Sequence, residues 1–216
     1  MKLLRSLSDS PAYHCELERQ FLAAHPAGGE DVLLLYVNRP SVIVGRNQQI
    51  EAEADVDYCR RHGIEIVKRL SGGGAVYHDR GNINYAFIAG RGATPALDRD
   101  FLAPVQAALR SAGVETTAGA RRDLWVGGRK ISGTASFVTA DSILFHGTLL
   151  HRTDLDRLAR ALHGDPSKRG KRIASVPAQV MNLSEITDPG ESTGEFLDRI
   201  SCFLAGYYCI CKVSYI

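Results

Sequence analysis

Residues 64 to 88 constrain the fold more than any other stretch. Ile64-Glu-Ile-Val-Lys68 reads as an extended run, Arg69-Leu-Ser-Gly-Gly-Gly-Ala-Val-Tyr-His78-Asp79 interrupts it, and Ile83-Asn-Tyr-Ala-Phe-Ile88 is a second, largely buried run. Three adjacent glycines between strands leave a length of backbone without Cβ atoms. Such backbone either turns tightly or lies against a ligand with its N–H groups toward an anion. Glycine clustering alone leaves those readings balanced. The neighbours tilt the balance toward a ligand, because Lys68, Arg69, Ser71, His78, Asp79 and Asn82 bring cations and hydrogen-bonding groups to one loop.

The rest of the chain supplies helices and further strands in irregular order. Ser10-Pro11 stands where an N-cap and first helical residue belong, and Tyr13, Leu17, Phe21 and Leu22 recur at helical spacing. After a break at Gly28-Gly29, Val32 to Val37 and Ser41 to Val44 read as paired strands joined through Asn38-Arg-Pro40. A short helix at Asp55 to Arg61 ends at Gly63; another follows from Phe101 to Ala112, ended by Gly113. Between the two, Gly90-Arg-Gly-Ala-Thr-Pro95 reads as irregular. Leu124-Trp-Val126, Gly127-Gly128 and Arg129-Lys-Ile131 form the strongest hairpin signal, and Ser142 to Arg152 is another long extended segment. Leu155, Leu158 and Leu162 mark a helix, Gly164 to Gly170 a polar loop, and Phe196 to Tyr207 a last amphipathic helix. This order predicts an α+β fold, with a mixed, largely antiparallel sheet flanked by helices, and not a doubly wound one.

Composition narrows the function. With 26 basic and 24 acidic residues, the formal charge of +2 is too balanced for general electrostatic binding of nucleic acid. The longest apolar run, Val32 to Val37, is far below a membrane span, and Met1 to Leu7 is too short for a signal peptide, so a cytoplasmic protein is expected. Five cysteines without a C-x-x-C pair read as buried or incidental thiols. Cys209-Ile-Cys211 has no histidine nearby to complete a metal site, and no metal ligands are assigned.

Two further constellations carry chemistry. Asp123 precedes the hairpin, on which alternation puts Arg129 and Ile131 on one face and Lys130 and Ser132 on the other. A strand lysine is ordinarily a solvated charge. His146-Gly147, inside Ile143 to Leu150, is either a satisfied core histidine or a ligand contact with room left by the glycine. P-loop and dinucleotide-binding glycine patterns are both absent.

Together, Arg69 to Asp79, Gly128-Arg-Lys-Ile-Ser-Gly133 and His146-Gly-Thr-Leu-Leu150 closely resemble the lipoate-protein ligase A family. The likeness extends through Pro40 to Asn47, Asp57-Tyr-Cys59 and Thr153-Asp-Leu155, over roughly residues 10 to 185 in order. It implies the biotin/lipoate ligase-like fold as a single catalytic domain over residues 1 to 216, without the C-terminal accessory domain of many bacterial ligases. The implied activity joins lipoate to ATP, with Mg2+, as lipoyl-adenylate and passes the lipoyl group to a lysine of a carrier domain. Such carriers belong to 2-oxoacid dehydrogenase complexes or are the glycine cleavage H protein. The resemblance makes Lys130 the catalytic lysine and places Arg69, Gly74, Ala75, Val76, Tyr77, Asp123 and Lys130 at the nucleotide. It places Ser71, Gly72, Gly73, Gly74, His78, Asn82, Lys130, Ser132, His146 and Gly147 at lipoate.

The sequence departs from the family at Arg122, where asparagine is common, and at Pro177-Ala-Gln179, where arginine is common. Alternatives are a transferase that takes preformed lipoyl-adenylate, one component of a two-protein ligase with a separate accessory-domain protein, and a non-catalytic lipoate-binding subunit. An octanoyltransferase needs a cysteine nucleophile, and none lies between Cys59 and Cys202.

Overall fold

The computed structural model describes residues 1–25, 29–91 and 99–216. The chain opens with β1 (Lys2–Arg5), α1 (Pro11–Ala24), β2 (Val32–Val37) and β3 (Ser41–Val44). Two short helices, α2 (Ile50–Glu53) and α3 (Val56–Arg61), lead to β4 (Glu65–Lys68), β5 (Val76–His78) and the long β6 (Asn82–Gly90). Then come α4 (Leu102–Ser111), β7 (Thr117–Ala118), β8 (Leu124–Val126), β9 (Arg129–Ser132), β10 (Thr134–Val138) and β11 (Ser142–Leu150). The chain finishes with α5 (Leu155–Ala161), α6 (Thr193–Tyr207) and β12 (Ser214–Tyr215). Gly28 and most of the irregular stretch after Gly90 lie outside the described residues.

A six-stranded sheet, ordered β10-β11-β6-β2-β1-β12, is the spine. Its pairs are antiparallel from β10 to β2, and β1 runs parallel to both neighbours. Strand alternation divides its side chains into two cores. Leu33, Leu35, Ile83, Tyr85 and Phe87 face the side covered by α4 and α6. Leu34, Tyr36, Ala86, Ile88 and Leu144 face α1 through Leu17, Phe21 and Leu22. Burial on both faces is why these strands read as continuous apolar runs; each large side chain enclosed contributes about 1.5–3 kcal/mol.

Two small sheets flank the spine, one ordered β4-β3-β5 and one β7-β8-β9. The expected pairing of Val32–Val37 with Ser41–Val44 does not occur, because β3 pairs with β4 and β5 instead. Pro40 has no N–H to continue a hairpin ladder, and its carbonyl accepts from the Glu65 N–H at 3.1 Å, which starts the β3–β4 pairing. The Gly127-Gly128 hairpin forms as expected, with φ of 54° and 77°, the positive values a two-residue primed turn requires. Gly113 ends α4 at φ 83°.

Buried histidines give this fold an acid-sensitive component. His151 is fully buried, stacked on Phe196 at 4.4 Å, and burial lowers it to about 4. His78 is lowered to about 3, by burial first and then by the Arg69, His146 and His14 charges. Both are neutral when folded, so the unfolded chain binds more protons below about 6.5, and stability present above that pH is lost as pH falls toward 4. Denaturant unfolding is expected to show a loss of roughly 1 kcal/mol per pH unit per histidine between about pH 6.5 and 4.5. A flat stability profile across that window would contradict neutral burial.

Candidate functional site

A cavity of about 790 Å³ opens where the glycine loop, the hairpin, α1 and the segment 173–178 meet. Arg69 shapes its loop wall. The guanidinium is 7% exposed and makes four donations: Nε to Ser71 Oγ (2.9 Å), Nη1 to the Ile43 carbonyl (2.9 Å), and Nη2 to the Gly72 and Gly74 carbonyls (2.6 and 2.7 Å). Burial lowers its pKa to about 10 against the opposing influence of Cys15, Glu18 and Tyr36. Drawing the carbonyls of Gly72 and Gly74 onto one cation fixes the path of the loop between them. Gly73 bends there at φ 84°. Gly45 packs so closely beneath that an added Cβ would collide with the Gly73 carbonyl oxygen.

The opposite wall is the hairpin. Lys130 Nζ lies 3.2 Å from Asp123 Oδ2, and the Lys130 backbone is strapped to the next segment by bonds to the Gln179 carbonyl (2.8 Å) and from the Met181 N–H (3.1 Å). Burial raises the Asp123 carboxyl, yet hydrogen bonds from Trp125 and Lys130, with the lysine's charge, outweigh it and hold the acid below its usual value. Both members of the pair are therefore charged, and the ammonium is held in a fixed place on the wall. Arg129 points elsewhere, to Glu185 at 2.7 Å. Arg122 adopts a left-handed φ of 60° beside this pair, a conformation asparagine tolerates better than arginine.

Segment 173–178 forms the roof, with Ser175 as its peg. Ser175 Oγ accepts from the Ala75 N–H at 2.8 Å and from Gln48 Nε2 at 3.1 Å, while its own N–H donates to Glu53 at 2.9 Å. The basic residues before it are not all free charges, since Arg169 pairs with Glu53 at 3.3 Å.

The α1 wall holds a polar chain. Glu18, 3% exposed, accepts from Tyr36 Oη (2.9 Å) and from His146 Nδ1 (2.9 Å); His146 Nε2 lies 2.7 Å from Ser71 Oγ. The carboxylate fixes the imidazole tautomer, leaving Nε2 to accept from the serine.

Of the residues singled out in the sequence, Arg69, Gly73, Gly74, Ala75, Val76, His78, Asp123, Lys130, His146 and Gly147 line this one cavity. Ser71, Gly72, Tyr77, Asn82 and Ser132 do not line it. Ser71 is sealed between Arg69 and His146, and Gly72 turns its carbonyl to Arg69. Tyr77 is buried among Val42, Val44 and Ile64. Asn82 donates to Asn84, and Ser132 is buried 3.4 Å from Tyr85 Oη. Sequence reasoning missed Glu18, Tyr36, Asn38, Asn84, Trp125 and Ser175, all of which line the cavity. A charge on the core-facing side of α1 was the one available signal, at Glu18.

Among the described residues no group of three or more His, Cys, Asp or Glu side chains is arranged to hold a metal ion, and no helix is long and apolar enough to cross a membrane.

Residues 10–205 match the family model described as the lipoyl protein ligase A/B catalytic domain. Lipoate-protein ligase LplJ of Bacillus subtilis is 41% identical over 84% of this chain and 55% of its own length. Lipoate–protein ligase 1 of Staphylococcus aureus is 40% identical over 84% of this chain and 56% of its own length. The chain thus spans little more than half of these relatives. A bi-partite lipoate protein ligase of Thermoplasma acidophilum superposes with a TM-score of 0.80 at 25% identity, over 100% of this chain and 88% of that one. A lipoate-protein ligase A bound with ATP gives 0.81 at 25%, over the same shares. A match through nearly the whole chain, covering the loop, the hairpin and the cavity they enclose, shows that this chain belongs to the lipoyl protein ligase A/B catalytic-domain family.

Proposed function

We propose that the chain is a lipoate-protein ligase, which joins lipoate to ATP as lipoyl-adenylate and then transfers the lipoyl group to a lysine of an apo lipoyl carrier domain. The observation that carries this reading is the Lys130 ammonium, held by Asp123 on the cavity wall facing the Arg69-organised loop. Attack of the lipoate carboxylate on the α-phosphate brings two anions together and spreads charge over phosphoryl oxygens. A fixed cation at that place lowers the barrier electrostatically. The carboxylate oxygen bonds to phosphorus and pyrophosphate leaves; afterwards the carrier amine attacks the acyl carbon and AMP leaves. In the second step Lys130 polarises the acyl carbonyl.

The other residues divide along the walls. Ala75 and Val76 offer backbone to the nucleotide, while the α1 wall and His146 receive the lipoyl chain. The Ala75 N–H reaches a phosphate only when Ser175 moves aside. Mg2+ enters this reading with the nucleotide, as its counter-ion, and the cytoplasm is the compartment.

A second reading is that the chain is one component of a two-part ligase. The likeness to a ligase described as bi-partite favours it. One assay tests both: the purified chain with lipoate, Mg-ATP and an apo carrier domain, run beside premade lipoyl-adenylate. Acylated carrier from ATP supports the complete ligase. Acylation from premade adenylate alone makes the chain a transferase whose adenylate comes from elsewhere, and no acylation from either rules out the complete ligase and points to a non-catalytic subunit or a missing second component.

A further inference from the structure

The peptide group between Gly74 and Ala75 is prepared to donate to an anion. Its carbonyl oxygen accepts from Arg69 Nη2 at 2.7 Å, and its N–H donates to Ser175 Oγ at 2.8 Å. A cation on the carbonyl polarises the group and strengthens the N–H as a donor. The same serine oxygen receives a second donor. Gln48 is 0% exposed, and its Oε1 accepts from the Gly45 N–H at 3.0 Å, which turns the amide so that Nε2 donates to Ser175 Oγ at 3.1 Å. Gly74 keeps the approach open, because a Cβ there would stand 3.0 Å from that oxygen. Two preset donors thus converge on one oxygen atom, at the part of the cavity lined by Ala75 and Ser175.

The oxygen they hold is easily withdrawn. Among the described residues, residues 173–178 make three hydrogen bonds, all through Ser175: the two on its Oγ and the N–H to Glu53 at 2.9 Å. Ile173 and Val176, on either side, are 51% and 55% exposed. A segment with so few bonds and so little burial opens at small cost. The bond from the Ser175 N–H to the buried Glu53 carboxylate does not involve the hydroxyl, so Oγ can swing off its two donors about χ1 while the backbone stays pinned.

We infer that Gln48 Nε2 and the Ala75 N–H form a donor pair for a phosphoryl oxygen of the adenylyl group, and that Ser175 Oγ is an internal stand-in which the nucleotide displaces. The inference rests on the nucleotide reading of this wall. It adds Gln48, which does not line the cavity, as a donor to the substrate, and makes Ser175 a competitor of the substrate. Two buried donors left bare would be costly, and the serine satisfies them until the nucleotide arrives. Once exchanged, donors already fixed in place stabilise the charge that gathers on the phosphoryl oxygens during attack by the carboxylate.

Calorimetric titration of Mg-ATP, of premade lipoyl-adenylate and of lipoate tests this, on the wild-type chain, Ser175→Ala, Gln48→Met and Gln48→Glu. Ser175→Ala removes the competitor, keeps the N–H bond to Glu53, and is expected to bind both nucleotides roughly three- to tenfold more tightly. Gln48→Met keeps the length of the side chain and loses the donor. Gln48→Glu keeps an acceptor for the Gly45 N–H and puts a carboxylate where the donor was. Both Gln48 variants are expected to weaken both nucleotides by roughly tenfold or more, the glutamate most, with lipoate affinity within about twofold of wild type. A merely structural role does not give these opposite directions, since a loosened glycine loop lowers nucleotide and lipoate affinity together. Ser175→Ala without tightening, wild-type nucleotide affinity in the Gln48 variants, or equal loss of nucleotide and lipoate overturns the donor pair. If wild type binds lipoyl-adenylate but not Mg-ATP, and the variants shift the adenylate as expected, the ATP-dependent reading fails while the pair stands. If every variant forms adenylate from ATP at the wild-type rate with unchanged affinities, the pair fails while that reading stands; a wild type that binds neither nucleotide overturns both.

Discussion

Lys130→Ala is expected to lower lipoyl-adenylate formation by about a hundred- to a thousandfold, the usual cost of removing one fixed group that stabilises transition-state charge. The fold should survive the change. Lys130 is tied into the structure through its backbone bonds to Gln179 and Met181, which alanine retains, and its side chain is only partly buried. Lys130→Arg should recover little, because a planar guanidinium cannot occupy the place of a compact ammonium 3.2 Å from Asp123. Pyrophosphate release and carrier acylation from premade adenylate are measured on the same samples. Near-wild-type rates in both half-reactions would remove Lys130 from the mechanism; loss of the first alone would confine it to adenylation.

Arg69→Ala should act on the fold as strongly as Lys130→Ala acts on chemistry. Removing the guanidinium strands the Ile43, Gly72 and Gly74 carbonyls and leaves Ser71 without its donor. A loss of about 3–4 kcal/mol is expected, combining unsatisfied acceptors with the space left behind. Arg69→Lys should restore only part of it, since one ammonium cannot reach four acceptors spread along a planar fork. Urea denaturation gives the stability, and lipoate titration reports the loop. A loss below about 1 kcal/mol with lipoate binding intact would show that the loop holds its own shape.

Much of the fold was legible along the chain. The α1 N-cap pair Ser10-Pro11, the Gly127-Gly128 turn and the apolar periods of α4 and α6 are local signals, and local geometry decides them. The shortest strands were not legible. β1 and β12 are four and two residues long, and only their neighbours make them strands. The pairing of β2 and β3 was misread because adjacency in sequence suggests a hairpin, whereas partner choice is set by which distant strand can complete each ladder.

The same division holds at the site. Residue types and their order along the chain determined the family likeness and the glycine loop, and through that likeness singled out Lys130 as the candidate catalytic lysine, because those features are carried by contiguous motifs. Tertiary structure alone decided which of these residues share a cavity. It turned Ser71, Gly72 and Tyr77 away, brought Glu18 in from α1 through His146, and set Ser175 against Ala75 from a segment 100 residues distant. The physical reason is that a buried polar group must find a partner wherever the fold supplies one, and that partner is chosen by proximity in space, which no local pattern encodes.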